Sequence, residues 1–181
     1  MSLTLIVGGA RSGKSAYAQR LAQEMRLPVT VIATAQARDG EMLERIARHR
    51  AERPADWRTV EEPLRLAEAL AREAGPRHCL VVDCLTLWLN NWLDESHVRH
   101  YPEARRQLLD VLPTLPGEII LVANEVGLGV VPLGELSRRF VDEAGWLNQA
   151  IGQAADDVVF VAAGLPLKLK ATPRHDDDSN Y

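Results

Sequence analysis

Short apolar runs alternate with longer stretches of helical spacing along this chain. The runs are rich in Val, Ile and Leu, which is typical of strands buried on both faces, and they occupy residues 3–7, 29–33, 79–83, 118–123 and 157–163. Helical spacing of apolar residues predicts helices over 15–25, 40–51, 64–74, 85–93, 102–112 and 136–155. The alternation predicts one α/β domain over residues 1–171, with a mainly parallel sheet covered on both faces.

A glycine-rich segment joins the first predicted strand to the first predicted helix. It fits the pattern G-x-x-x-x-G-K-[ST], and its residues are Gly8, Gly9, Ala10, Arg11, Ser12, Gly13, Lys14 and Ser15. In such phosphate-binding loops the backbone N–H groups point at phosphate oxygens, the lysine reaches the β- and γ-phosphates, and the hydroxyl binds Mg²⁺. The segment predicts nucleotide binding, with Lys14 on the phosphates and Ser15 on Mg²⁺. It does not identify the reaction.

An acidic residue ends the third predicted strand. Asp83 follows the apolar run CLVV, where phosphate-loop proteins place a carboxylate that helps to hold Mg²⁺. Strands often end at aspartate, so the pattern is weak alone. The glycine loop upstream makes the magnesium role the favoured interpretation.

One histidine lies among arginines late in the second predicted helix. His49 is surrounded in sequence by Arg45, Arg48, Arg50 and Arg53. Their positive field suits a triphosphate and favours a neutral imidazole, which has a free lone pair for attack on phosphorus. The alternative is a solvated basic helix face on which His49 is incidental. The residues alone favour this second interpretation.

Two polar pairs follow predicted strands or precede helices, and each has two interpretations. Glu61 and Glu62 could place a carboxylate near a base or sugar, or could be the acidic first turn of the next helix. Asn124 and Glu125 could face a substrate crevice at the carboxyl edge of the sheet, or could shape the turn that ends at Gly127. The sequence leaves both questions open.

Composition narrows the class of protein. The chain has 181 residues and a net charge of −4, which argues against a general nucleic-acid binder. No apolar segment approaches the ~20 residues needed to span a bilayer, and no signal-peptide pattern is recognised. Cys79 and Cys84 are expected to face opposite sides of the sheet, as reduced thiols of a cytoplasmic protein. The polar residues 172–181 contain three consecutive aspartates; we expect disorder there rather than a metal site.

Several longer motifs, in order, resemble one family. They are GGARSGKS at 8–15, IATAQ at 32–36, EM-x-x-RI-x-x-H-x-x-x-RP-x-x-W at 41–57, DCLTLWLNN at 83–91, NEVGLGVVP at 124–132 and GLPLKLK at 164–170. The chain resembles the bifunctional adenosylcobinamide kinase / adenosylcobinamide-phosphate guanylyltransferases of cobalamin biosynthesis. The resemblance covers residues 5 to about 170 and is far more specific than the glycine loop.

The resemblance implies two reactions. A nucleoside triphosphate, ATP or GTP, phosphorylates the hydroxyl of adenosylcobinamide, and GTP then donates GMP to that phosphate, releasing pyrophosphate. GMP is held in between on a histidine, which the family motif places at His49. The resemblance thus reverses the preference that the residues alone give, and implies that His49 and Lys14 are catalytic, with Ser15 and Asp83 on Mg²⁺.

The resemblance also implies nucleotide contacts beyond the glycine loop. These contacts fall on Thr34, Ala35, Gln36, Arg50, Ala51, Glu52, Arg53, Glu61 and Asp83. It implies a three-layer P-loop NTPase fold of the RecA-like type and a homo-oligomer, with a trimer expected. Residues 85–93, with Trp88 and Trp92, are a candidate subunit interface or, alternatively, core.

Two other functions would use the same glycine loop. A simple P-loop kinase for another small molecule would keep Lys14, Ser15 and Asp83 and make His49 incidental. A nucleotide-dependent regulator would bind GTP or ATP and a protein partner, without group transfer, adduct or response to corrinoids. The motifs after the glycine loop favour the bifunctional transferase.

Overall fold

The computed structural model describes residues 2–37, 39–94 and 96–172. The strands are β1 Ser2–Gly8, β2 Val29–Ala33, β3 Arg58–Glu61, β4 Cys79–Asp83, β5 Glu118–Asn124, β6 Asp157–Ala162 and β7 Leu165–Lys170. The helices are α1 Lys14–Glu24, α2 Gly40–Ala51, α3 Leu66–Glu73, α4 Leu85–Trp92, α5 Tyr101–Val111 and α6 Glu135–Ala154. The bounds of β2, α2 and β4 are those predicted.

All seven strands form one sheet in the order β3-β2-β4-β5-β1-β6-β7. The first six pair in parallel, and β7 pairs antiparallel with β6. Strand β5 lies between β1, which leads into the glycine loop, and β4, which ends at Asp83. The predicted three-layer α/β fold with a mainly parallel sheet is confirmed, and its RecA-like type stays a prediction.

The core has two parts, one on each face of the sheet. Helix α1 covers one face, where Ala18 and Ala22 pack among strand residues such as Val81 and Val122. Helices α3 to α6 supply the larger cluster on the other face, which includes Trp88. Because both faces are covered, the central strands are almost fully buried, and this accounts for their continuous apolar runs.

The sequence predicts no strand at the positions of the two edge strands, β3 and β7, and its last predicted strand is 157–163. The sequence of β3 is RTVE, and all six residues of β7 (LPLKLK) are exposed. A strand at the edge of a sheet lacks neighbours on one side and is not sandwiched by helices, so its sequence carries no continuous apolar run. Their identification required knowledge of the whole sheet.

Two further expectations were corrected or refined by the structure. Cys79 and Cys84 are both free and buried, but they belong to the same apolar cluster beside α1 rather than to opposite faces, because the strand ends before Cys84. Trp88 is 1% exposed, and the indole N–H groups of Trp88 and Trp92 donate to the carbonyl of Leu64, so this segment packs within the chain.

The predicted disorder of the polar tail falls mostly outside the described residues. Thr172 is described, and its N–H and hydroxyl both donate to the Asp156 carbonyl, while 173–181 are not described. In the part of the chain that the structure describes, no helix is long and apolar enough to cross a bilayer.

Candidate active site

The glycine loop takes the backbone shape that its glycines permit. Gly13 has a φ of 96°, in the left-handed region that a side chain disfavours. A Cβ at Gly8 would collide with the carbonyl oxygen of Val161. The loop is tied to the β6–β7 turn, because the Gly164 N–H donates to the Ser12 carbonyl at 2.8 Å. The loop thus enters α1 from a fixed position at the carboxyl edge of the sheet.

Lys14 is the first residue of α1 and is almost fully buried, at 7% exposure. Its Nζ donates to the carbonyl of Gly9 at 3.1 Å, so the ammonium curls back over the loop. Burial lowers the pKa of Lys14, because the charged form loses hydration. A phosphate bound in the loop would favour the charged form again.

Helix α2 brings the basic residues to the loop. Its N-terminus is capped by Asp39, whose carboxylate accepts from the Met42 N–H at 2.7 Å. Arg48, His49 and Arg50 lie in its last turn, where positive charge is favoured by the helix dipole. None of the residues of α2 is buried, so the helix lies on the surface of the site.

Two cavities meet at α2. The glycine-loop cavity, of about 430 Å³, is lined by the loop and by Glu41, Glu44, Arg45, Arg48, His49 and Glu52. The apolar cavity, of about 400 Å³, lies on the β2–β3–β4 side, between α2 and residues such as Ala33, Thr59 and Leu87. Among the described residues, only Arg45 and His49 line both cavities. His49 therefore lies where the glycine-loop cavity adjoins the apolar cavity.

The imidazole of His49 contacts the carboxylate at the end of β4. His49 Nδ1 lies 3.5 Å from Asp83 Oδ2, and Arg53 Nη2 donates to the same oxygen at 2.9 Å. Burial would raise the pKa of Asp83, but His49 and the Arg53 guanidinium outweigh it and hold that pKa below its usual range. Asp83 is therefore an anion between two basic groups.

The match to known proteins covers nearly the whole chain. Residues 4–169 match the family described as "Cobinamide kinase / cobinamide phosphate guanyltransferase". The chain belongs to this family. It is 62% identical over 169 residues to the "Bifunctional adenosylcobalamin biosynthesis protein CobP" of Pseudomonas aeruginosa, covering 93% of this chain and 98% of that protein.

More distant relatives agree with this assignment. The chain is 36% identical over 181 residues to the "Bifunctional adenosylcobalamin biosynthesis protein CobU" of Escherichia coli, covering 93% of this chain and 99% of the relative. Among solved structures, a Pyrococcus horikoshii OT3 protein matches with a TM-score of 0.56 and 8% identity, over 95% of this chain and 87% of that one. This last likeness concerns the fold alone. The cobinamide kinase / cobinamide phosphate guanyltransferase family resemblance that the motifs indicated is therefore confirmed.

The structure brings most of the residues that the family resemblance implies to the two cavities. Ala10 to Ser15 and Glu52 line the glycine-loop cavity; Ala35, Arg50, Arg53, Glu61 and Asp83 line the apolar cavity. Gly8 and Gly9 shape the loop without lining either cavity, and Arg53 also donates to the Thr59 hydroxyl at 3.3 Å. The nucleotide contacts themselves stay predictions.

Besides Gly8 and Gly9, three of the implied residues lie outside the cavity walls. Thr34 is fully buried; its hydroxyl donates to the Cys84 carbonyl at 2.7 Å and accepts from the Cys84 N–H at 3.0 Å. It thereby joins the end of β2 to the segment after β4. Gln36 is half-buried and Ala51 is exposed, and neither lines either cavity.

The structure shows what three of the four residues in the polar pairs contact, while their nucleotide or substrate roles stay predictions. The Glu62 carboxylate accepts from the N–H groups of Leu64 and Arg65 just before α3, which is the helix-start interpretation. Glu61 instead lines the apolar cavity, 4.0 Å from Arg50 Nη1. The Glu125 carboxylate accepts from the Gly127 N–H at 2.6 Å and so shapes the turn.

Some cavity residues carried no signal in the sequence. Thr59 and Leu87 line the apolar cavity, as do Met42, Leu43 and Ile46 of α2. Thr59 lies on β3, the strand that was not predicted, and the others are ordinary apolar positions of amphipathic helices. Their place in the cavity follows from the position of α2 beside the strand ends, which no local sequence pattern predicts.

Proposed function

We propose that this protein phosphorylates adenosylcobinamide and then transfers GMP from GTP to adenosylcobinamide phosphate through a covalent guanylyl-His49. The observation that carries this proposal is the position of His49 between the glycine-loop cavity and the apolar cavity. In GTP the α-phosphate likewise lies between the outer phosphates and the nucleoside. A nucleotide with its phosphates in one cavity and its base in the other presents the α-phosphorus to His49.

The charged groups of the two cavities support this placement. Lys14, Arg45 and Arg48 surround the glycine-loop cavity, where they would neutralise the outer phosphates and the leaving pyrophosphate. Glu61 lines the apolar cavity, where its carboxylate would accept from the N–H groups of guanine. Adenine offers a different donor pattern, so Glu61 is the proposed source of the preference for GTP.

The two GMP-transfer steps balance without a separate proton carrier. The His49 ring nitrogen forms a bond to the α-phosphorus as the bond to the pyrophosphate oxygen breaks, and pyrophosphate takes the electron pair. An oxygen of the corrinoid phosphate then attacks the same phosphorus, and the nitrogen–phosphorus bond breaks. In the kinase step the corrinoid hydroxyl oxygen bonds to the γ-phosphorus, which Lys14 and the loop N–H groups hold, and the nucleoside diphosphate leaves with the electron pair. The hydroxyl proton passes to a base, to which no residue is assigned.

The chemistry of the predicted magnesium ligands fits the ion. The Ser15 hydroxyl and the Asp83 carboxylate are the oxygen donors that Mg²⁺ prefers, and Mg²⁺ usually completes its shell with phosphate oxygens and water. When bound, Mg²⁺ neutralises charge that develops on the phosphates. Both ligands remain part of the proposal.

We also propose that the protein is a cytoplasmic homo-oligomer, with a trimer expected from the family resemblance. The segment before α6 exposes Leu128, Val130, Val131 and Leu133, each more than 70% accessible. Apolar side chains in such a cluster are typical of surfaces that another molecule covers. The two free cysteines are typical of proteins from reducing compartments.

Product analysis tests the proposal. Purified protein is incubated with Mg²⁺ and adenosylcobinamide, with ATP alone, GTP alone or both, and the corrinoids are identified by mass spectrometry. We expect the phosphate with ATP alone and the GDP derivative only when GTP is present. If the corrinoid is phosphorylated but never converted to the GDP derivative, the protein is a simple kinase. If nucleotide binds and the corrinoid is unchanged, the protein is a nucleotide-dependent regulator.

A further inference from the structure

Three elements converge on one carboxylate oxygen in the site. Asp83 Oδ2, at the end of β4, receives the Arg53 guanidinium at 2.9 Å and lies 3.5 Å from the Nδ1 of His49. The side chains of Arg53, Asp83 and His49 are 10%, 21% and 32% exposed, so exposure increases from the arginine to the histidine. The carboxylate is held from one side and presents the same oxygen to the imidazole.

The nitrogen of His49 that faces Asp83 determines which tautomer of the imidazole the contact favours. An ionised carboxylate only accepts hydrogen bonds, so a neutral imidazole beside it carries its proton on the facing nitrogen, Nδ1. The lone pair is then on Nε2, the nitrogen at the far side of the ring. We propose that Asp83 is a positioning residue that fixes the Nδ1–H tautomer of His49, so that Nε2 is the atom that takes GMP. This inference rests on the proposed function, because it assigns a partner to its nucleophile.

The arrangement also serves the charge that forms during transfer. When Nε2 bonds to the α-phosphorus and pyrophosphate leaves with its electron pair, the ring becomes a cation whose Nδ1–H points at Asp83. The proton stays on Nδ1 throughout, and the cationic ring is the better leaving group when the corrinoid phosphate attacks. Asp83 therefore favours the intermediate without accepting a proton.

Arg53 has a distinct part in this arrangement. Its Nη1 donates to the Thr59 hydroxyl on β3 while its Nη2 holds Asp83, so the guanidinium links β3 to the end of β4. Among the described residues, Lys14, Arg45 and Arg50 are further cationic groups around this end of β4. Arg53 is the one that bonds the oxygen shared with His49, and it orients the carboxylate toward Nδ1.

The test compares Asp83→Asn with the wild type in two measurements. Long-range ¹H–¹⁵N NMR of histidine-labelled protein reports which ring nitrogen of His49 is protonated, with His78 and His97 as internal references. Single-turnover formation of the protein–GMP adduct is measured over a range of Mg²⁺ concentrations. Asp110→Asn, at an exposed position on α5, is the matched control, and thermal unfolding verifies that both variants fold.

We expect His49 to carry its proton on Nδ1 in the wild type, and to be a mixture of tautomers or the Nε2–H tautomer in Asp83→Asn. The rate of adduct formation in Asp83→Asn should fall roughly 10²-fold or more, and added Mg²⁺ should not restore it. Asp83→Glu, which keeps the acceptor, restores part of the rate. An unchanged tautomer, or a rate that recovers fully at high Mg²⁺, overturns the inference and leaves Asp83 as a metal ligand alone. A wild-type protein that forms no adduct instead refutes the proposed function.

Discussion

At the scale of single residues, two contacts define the site: the Lys14 ammonium over the glycine loop and His49 beside Asp83. Lys14 could be assigned from the sequence because the phosphate-loop pattern itself requires a lysine at that position. His49 could be assigned only through the longer family motif, because arginines beside a histidine are also typical of a solvated helix face. Its contact with Asp83 joins positions 49 and 83, which no local pattern relates.

Lys14 predicts how nucleotide affinity depends on pH. Burial lowers its pKa, and a bound phosphate favours the charged form, so affinity should fall as the pH rises through the pKa of Lys14. Lys14→Arg keeps its charge in that range and should show a flatter profile, whereas Lys14→Ala should bind about 10–100-fold more weakly at neutral pH, with a gap that narrows as the wild-type lysine loses its charge. Titration calorimetry from neutral to alkaline pH measures this, and equal slopes for wild type and Lys14→Arg would contradict it.

At the scale of elements, burial decides what a sequence reveals. Strands β2 and β4 were predicted with the observed bounds because helices cover both of their faces and every position but the last is buried. The edge strands β3 and β7 lack this cover. Helix α2 shows the reverse case: its bounds were predicted from apolar spacing although none of its residues is buried.

The exposure of α2 predicts that its N-terminal cap controls the site. Few tertiary contacts hold the helix, so its own capping bond carries more of its stability. Asp39→Ala should destabilise α2 by about 1 kcal/mol and speed hydrogen exchange of its amides. Adduct formation should slow, because His49 is displaced more of the time, and bound GTP should restore protection.

Asp39→Asn is the matched variant, since asparagine caps helices nearly as well. Hydrogen-exchange rates of the α2 amides, measured by mass spectrometry, should therefore be fastest in Asp39→Ala. In Asp39→Asn they should be close to those of the wild type. Equal exchange in all three proteins would mean that the cap does not govern α2.

At the scale of the whole molecule, the exposed apolar segment before α6 predicts self-association. Leu133 is 97% exposed, so a charge placed there cannot disturb the core of one chain. Leu133→Glu should lower the sedimentation coefficient of the assembly, because a carboxylate would be buried at the subunit contact. Gln153→Glu, which adds the same charge at an exposed position of α6, should sediment like the wild type.

Sedimentation velocity of the three proteins over a range of concentrations makes the comparison. A wild type that sediments as a monomer at every concentration would refute the predicted contact. A Leu133→Glu variant with the same sedimentation coefficient as an oligomeric wild type would refute it as well. The number of subunits is read from the same data, so a trimer is tested independently of the surface that forms it.

The central claim, a covalent GMP on His49, is tested most directly with GTP labelled at the α-phosphate. The protein is incubated with this GTP and Mg²⁺ and then denatured, and the label that stays with the chain is measured. We predict an alkali-stable, acid-labile adduct that is retained in His100→Ala, an exposed histidine, and lost in His49→Ala. Label from γ-labelled GTP should not be retained. Nucleotide binding without any adduct, or an adduct that persists in His49→Ala, would contradict the account.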